Sequence, residues 1–194
     1  MRNLETSKSD IRKEKLKKRK ALIPSEVEEY GRIICDSLFE QDFIKDCKYL
    51  LVYADYNNEV STKRIILKAL MKGIEVYMPK VDGDEMDFFR VFSTDELVTG
   101  AFGIREPYAI EHFKFEGKDN SICLLPLSAF DRFGNRIGYG KGYYDKYLAG
   151  INVSLSVGLA YSFQETESVP ADEFDRKLDL LITEDKIWDF RKGN

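Results

Sequence analysis

Residues 126–148 read PLSAFDRFGNRIGYGKGYYDKYL and gather most of the groups with evident chemical capacity. Gly134, Gly138, Gly140 and Gly142 fall within nine residues, with Arg136 and Lys141 among them. From Gly142 onward, Tyr143, Tyr144, Tyr147 and Leu148 recur at helical spacing. Glycines ahead of a helix start let backbone amides approach an anion, and the helix N-terminus adds about half a positive charge. Lys141 adds a full one, so the stretch reads as a phosphate cradle. The alternative is a structural loop whose glycines simply take positive φ. Two cations inside the loop and Asp145 just after it favour phosphate. Walker A needs Ser or Thr after its Gly-Lys, whereas Gly142 follows Lys141 here, and the Rossmann fingerprint spaces its last glycine one residue further.

The rest of the inventory excludes several chemistries. The single histidine, His112, lies in the charged stretch EHFKFEG and is expected at the surface. No G-x-S-x-G elbow accompanies it, and zinc sites built on His and Cys lack their ligands. Cys35, Cys47 and Cys123 are odd in number, form no C-x-x-C pair, and read as reduced, buried thiols. Chemistry must therefore rest on carboxylates, Lys, Arg and backbone amides. With 43% hydrophobic and 33% charged residues the chain is globular rather than fibrous or disordered. No apolar run approaches a membrane span and no signal-peptide core follows the N-terminus, so the expectation is a cytoplasmic protein with no membrane partner. The net charge of -4 gives no general argument for nucleic acid. It is uneven, however: residues 1–20 hold nine Lys or Arg (Arg2, Lys8, Arg12, Lys13, Lys15, Lys17, Lys18, Arg19, Lys20) against Glu5, Asp10 and Glu14.

The elements that must position these groups begin with that basic segment. Ser7 or Ser9 can start a helix running to about Ala21, and Ser25 with Glu28 has capping-box spacing for a second helix. Residues 49–54 (YLLVYA) read as a buried strand, Ser61-Thr62 as the cap of a helix through Lys72, and residues 74–78 (IEVYM) as a strand ended by Pro79. A turn at 82–84 joins it to 86–92, and further strands fall at 121–126, 155–161 and, last, 178–183. Strands that are continuously apolar and separated by helical or loop crossovers predict one α/β domain over 1–194. Its expected form is a three-layer α/β/α arrangement on a largely parallel sheet, and the basic segment 1–24 can be a solvated face, a nucleic-acid arm or a source of phosphate-binding side chains. Residues 93–120 are loop-rich, which in a compact domain favours a functional loop.

The stretch GNRIGYGKGYYDKYL resembles the signature of the 5-formyltetrahydrofolate cyclo-ligase (methenyltetrahydrofolate synthetase) family. Other blocks agree in order: Lys8 and Arg12 four apart, Glu59 in NNEVST, Gly103-Ile104 with Glu106-Pro107, then Val169-Pro170, Asp175, Asp179 and Thr183-Glu184. The resemblance spans 8–184. It implies use of Mg-ATP to convert 5-formyltetrahydrofolate into 5,10-methenyltetrahydrofolate, ADP and phosphate through a phosphorylated formyl (iminophosphate) intermediate. Phosphoryl transfer needs positioning and charge neutralisation more than covalent help, which suits a site without His or Cys. By the resemblance, Lys8 and Arg12 reach the ATP phosphates, Arg136 and Lys141 flank the transferring group, and Ile137, Gly138, Tyr139, Gly140, Lys141, Gly142, Tyr143 and Tyr144 line the nucleotide. Arg12, Tyr53, Ala54, Glu59, Tyr139, Gly140, Lys141, Gly142 and Tyr143 meet the folate, with Glu59 at the pterin edge and Tyr53 as a stacking wall. Asp145 and Asp179 are the implied Mg²⁺ ligands. Tyr139 stands where some relatives have Arg, so its side chain is not expected to matter.

Blander readings stand beside these. Lys8 and Arg12 would pass for solvated helix charges. Asp145 suits the first turn of its helix, Asp179 suits a strand-start cap with Asp175 as the replacement ligand, and Tyr53 suits core packing. Another ATP-dependent phosphotransfer activity and a nucleic-acid-binding module led by the basic helix are the rival functions. The second lacks aromatic residues among its charges before Tyr30. The expected partners are ATP and a reduced folate, with no nucleic acid, and the expected state is a monomer.

Overall fold

Successive residues of the middle strands are buried but face two cores in turn, and that alternation explains the architecture of the computed structural model, which describes residues 7–100, 103–170, 172 and 175–192. Strand β1 (Tyr49–Leu51) sends Leu50 to one core and Leu51 to another. Strand β6 (Lys118–Pro126) does the same with Ile122 and Leu124 against Cys123 and Leu125. Helices α2 (Pro24–Glu40) and α3 (Lys63–Met71) cover the first core with Ile34, Leu38, Ile65 and Ala69. Helix α4 (Tyr143–Gly150) covers the second with Tyr147 and Leu148. A sheet buried on both faces needs strands that are apolar throughout, as the sequence has them.

The seven-stranded sheet runs β11 (Ile187–Asp189), β10 (Leu180–Ile182), β9 (Val153–Leu159), β6, β1, β2 (Glu75–Asp82), β3 (Glu85–Val91), and β4 (Val98–Thr99) pairs with β5 (Arg105–Glu106) apart from it. The five strands β10, β9, β6, β1 and β2 pair in parallel. The edges β3 and β11 are antiparallel. From β1 the chain winds outward through β2 and β3, and from β6 it winds the other way through β9 to β11. Winding therefore reverses between β1 and β6, and the crevice beyond their carboxyl ends is where such sheets bind ligands.

Helix α1 (Lys8–Lys20) starts where Ser7 Oγ accepts from the Asp10 amide at 3.2 Å; residues 1–6 of the basic segment lie outside the described residues. Several expected boundaries moved for identifiable reasons. Helix α2 begins at Pro24, preorganised for a first helical position, and Glu26 rather than Glu28 reaches back to the Ile23 amide at 2.9 Å. Strand β1 ends at Leu51. Strand β2 runs through Pro79, which faces Phe88 of β3, while its pairing with β1 has already stopped at Tyr77. No parallel neighbour asks for the missing N–H. Thr62 offers no cap to α3; its hydroxyl bonds to the Tyr53 carbonyl at 2.8 Å. The last strand is β11, an edge strand the sequence reading missed. Cys35, Cys47 and Cys123 are buried free thiols and His112 is exposed, as expected. Among the described residues no helix is long and apolar enough to cross a membrane.

Candidate active site

The glycine loop is built from a short hairpin, β7 (Ala129–Phe130) against β8 (Arg136–Ile137). Its turn is clamped by buried Asp131. Oδ1 accepts from the Phe133 and Asn135 amides at 2.9 and 3.0 Å, and Oδ2 from the Val169 amide at 3.0 Å. Beyond β8 the Gly138 carbonyl accepts from Arg12 Nε at 2.8 Å. Gly140 takes φ +96, a conformation that favours glycine, and it lies beside the Arg12 guanidinium. Gly142, at φ 68, is the N-cap of α4 and brings no side chain to its first amides. Those amides are left to meet an anion.

A cavity of about 340 Å³ opens over this loop. Lys8, Arg12, Arg136 and Lys141 bring four positive groups to its wall, and Asp145, Asp172 and Asp175 bring three carboxylates. Arg136 is buried; its Nη2 donates to Asp145 Oδ1 at 2.6 Å and its Nη1 to the Arg176 carbonyl. Lys8 is shared between Asp172 at 2.6 Å and Asp175 at 2.5 Å. Burial pulls the Lys8 ammonium down, but the bonds to Asp172 and Asp175 outweigh it and the net shift is upward. Burial likewise pushes Asp175 up, while the Asp172 amide and Lys8 bring it below the ordinary range. Lys141 is exposed to the cavity.

A second cavity of about 380 Å³ adjoins the first and shares Pro126, Tyr139, Lys141, Tyr143 and Tyr144 with it. Its walls are mostly apolar: Tyr53, Ala54, Pro79, Val81, Met86 and Ile104. The buried acids Glu59 and Glu106 also line it. Glu59 Oε2 accepts from the Tyr56 amide at 2.8 Å, and Oε1 accepts from the Tyr139 hydroxyl. Burial raises the Glu59 carboxyl above its usual value, with Tyr139 and Arg19 acting against that rise. The Tyr53 ring lines the cavity while its hydroxyl bonds to the Val60 carbonyl at 3.0 Å, so wall and packing roles coincide.

The expected residues thus converge on two joined cavities. Lys8, Arg12 and 136–145 border the first; Tyr53, Ala54, Glu59, Tyr139, Lys141 and Tyr143 border the second. Arg12, Gly140 and Gly142 border only the first. Asp179 is not brought to either. It sits at the start of β10, where Oδ2 accepts from the Ser156 amide and hydroxyl, each at 2.7 Å, and it ties β10 to β9. That is the strand-start position, and Asp175 rather than Asp179 joins Asp145 and Asp172 at the cavity. Asp172, Glu106 and Arg19 were not singled out as binding residues by the sequence reading. Glu106 was legible only as part of the Gly-Ile-x-Glu-Pro block. Arg19 could have been found as the continuation of the stripe Lys8, Ile11, Arg12, Lys15 at helical spacing.

Among the described residues no group of three or more His, Cys, Asp or Glu could hold a metal. One or two carboxylates beside bound phosphates suffice for Mg²⁺, and Asp145 and Asp175 on the wall of the cationic cavity fit that mode.

The sequence profile of the 5-formyltetrahydrofolate cyclo-ligase family matches residues 4–184. The Escherichia coli (strain K12) 5-formyltetrahydrofolate cyclo-ligase is 26% identical over 178 residues, covering 89% of this chain and 98% of that protein. The probable 5-formyltetrahydrofolate cyclo-ligase of Schizosaccharomyces pombe is 31% identical over 170 residues, covering 79% and 83%. Among solved structures, the Aquifex aeolicus 5,10-methenyltetrahydrofolate synthetase is similar with a TM-score of 0.83 and 35% identity, over 96% of this chain and 94% of that one. The Mycoplasma pneumoniae 5,10-methenyltetrahydrofolate synthetase gives 0.70 and 29%, over 91% and 98%.

Proposed function

This chain belongs to the 5-formyltetrahydrofolate cyclo-ligase family, and from that premise we propose that it uses Mg-ATP to close 5-formyltetrahydrofolate into 5,10-methenyltetrahydrofolate. The observation that carries the reading is the junction of the two cavities: a cationic one over a glycine loop and helix start, and an apolar one containing a buried carboxylate, meeting at Lys141 and Tyr143. A triphosphate suits the first. The second suits a flat heterocycle whose N–H edge meets Glu59. The formyl group then faces the γ-phosphoryl group across the shared wall.

In the proposed reaction the formyl oxygen attacks the γ-phosphorus and ADP departs, which leaves an N5 iminophosphate. N10 attacks the formyl carbon, the C–O bond breaks, phosphate leaves with the oxygen, and N10 gives up its proton as the ring closes. Lys141, exposed at the junction, neutralises charge on the transferring group. Arg136 acts beside it from a fixed position, held by Asp145. Arg12 holds the loop through the Gly138 carbonyl and Lys8 turns from its two acids toward phosphate oxygens. Magnesium, held by Asp145 and Asp175, would supply further neutralisation of the β- and γ-phosphates. The enzyme in this reading is a cytoplasmic monomer with two small-molecule partners. The inward direction of Lys15 and Arg19 on α1 speaks against a nucleic-acid surface there.

The test is to mix the protein with Mg-ATP and 5-formyltetrahydrofolate and follow the absorbance of a methenyl folate together with ADP and phosphate. One of each product per turnover is expected. ATP hydrolysis without methenyl formation would reject the cyclo-ligase activity in favour of another phosphotransfer.

A further inference from the structure

Arg19 and Glu59 are two opposite charges, 2% and 6% exposed, that meet through a third residue. The Tyr139 hydroxyl accepts from Arg19 Nη2 and donates to Glu59 Oε1. The Arg19 guanidinium also lies 5.5 Å from the Tyr139 ring centroid, and its Nε donates to the Asn57 carbonyl at 3.0 Å. Tyr139 is therefore the point where α1, the loop after β1 and the glycine loop are tied together. Its backbone stands between Gly138, held by Arg12, and Gly140, whose φ of +96 few other residues adopt. Lys141 follows two residues on.

Glu59 Oε2 already accepts from the Tyr56 amide, so Oε1 is the oxygen whose partner can be exchanged without disturbing the loop after β1. A heterocycle presenting N–H donors to Glu59 competes with the phenol for it. We infer that the Tyr139 side chain is a positioning residue that couples the two cavities, its phenol released from Glu59 when a folate docks and the glycine loop moving with it toward the nucleotide. This rests on the proposed function, because it takes Glu59 as the folate end of the site. Displacement of the ring from the folate cavity narrows the neighbouring cavity over the phosphates, so folate strengthens nucleotide binding. The coupling is reciprocal by linkage.

Titration of a non-hydrolysable ATP analogue with magnesium, with and without saturating 5-formyltetrahydrofolate, tests this without turnover. In the wild-type protein folate should tighten analogue binding by about tenfold, and the analogue should tighten folate binding by the same factor. Tyr139→Phe keeps the ring and its volume but removes the hydroxyl. It should still bind both ligands, with the coupling reduced to within about twofold. Arg19→Gln, which keeps an N–H donor but no charge, should also lower the coupling, and it serves if the first variant does not fold. Undiminished coupling in either folded variant, or none in the wild type while both ligands bind, overturns the inference and leaves the proposed function standing. Failure of the wild type to bind ATP or folate overturns both.

Discussion

Arg136 and Lys141 carry the same charge in the same loop, yet the structure separates what their loss should do. Arg136 has a side chain 6% exposed, bonded to Asp145 and to the Arg176 carbonyl. Removing one partner of a buried ion pair costs about 3–5 kcal/mol. Asp145 is 28% exposed and can rehydrate, so a loss of roughly 2–3 kcal/mol is the appropriate scale for Arg136→Ala. For a chain of this size that lowers Tm by about 4–12 °C. Lys141 is exposed at the cavity junction, and its truncation should change stability by no more than about 0.5 kcal/mol, roughly 2 °C at most. Its effect should appear in turnover instead, as a fall of about 10²–10³-fold, the usual consequence of deleting one electrostatic donor to developing charge. Differential scanning fluorimetry and methenyl-folate formation, measured on both variants, separate the two. Near-normal turnover in Lys141→Ala would remove it from the chemistry, and a Tm as low as that of Arg136→Ala would mean that its role is structural.

Asp145→Asn should raise the magnesium concentration for half-maximal activity, because an amide is a poor ligand for a hard cation. Asp179→Asn should leave that titration unchanged and cost about 1–2 kcal/mol through weakened bonds to Ser156, measured by urea melting. Lys8→Ala with Arg12→Ala should weaken nucleotide binding strongly. Replacing the exposed Lys13, Lys17 and Lys20 should have only a mild, salt-dependent effect; equal losses in both sets would make the helix a diffuse charge. The Lys8–Asp175 pair gives a pH signature. Asp175 is depressed, so its contribution holds above about pH 3.9 and is lost as pH falls through its lower folded value. Lys8 is raised, so its share holds below about pH 10.4 and is lost as pH climbs through its higher folded value. Melting of wild type and Lys8→Met should therefore differ most between those limits and converge only below the folded value of Asp175 and above that of Lys8.

The glycine loop was legible because its pattern is local: Gly138, Gly140, Gly142 and Lys141 fall within five residues of one another. Lys8 and Arg12 were legible only through the family resemblance; their helical spacing puts them on one face, which the folded chain turns toward the cavity, but spacing alone would have left them as solvated charges. The parallel sheet followed from continuously apolar strands. Asp179 was misplaced because its role depends on register: pairing of Leu180 with Val157 sets it against Ser156. No spacing in the sequence encodes that. Strand β2 was cut short because Pro79 reads as a stop until its neighbours are known. Tyr139 was kept in the loop that lines the site, but its side chain was set aside because some relatives carry Arg there. Its significance lies in partners 80 and 120 residues away, Glu59 and Arg19, which only the folded chain brings to one hydroxyl.

Helix α1 is held chiefly by polar side chains. Apart from Ile11, its inward positions are Lys15 and Arg19, and the Lys15 ammonium sits on the Phe163 and Glu165 carbonyls at 3.0 and 2.7 Å. Its partners are separated from it by 126 residues at Gly138 and 167 at Asp175. On the ribosome this helix precedes the backbone that receives it by an interval on the order of ten seconds or more at ordinary elongation speeds. Little grease is exposed meanwhile, because its face is charged. The first cavity gains Arg12 only once Gly138 has been made, and Lys8 only once Asp175 has. Until those residues emerge, the two cations of the helix have no fixed place beside the two of the loop, Arg136 and Lys141.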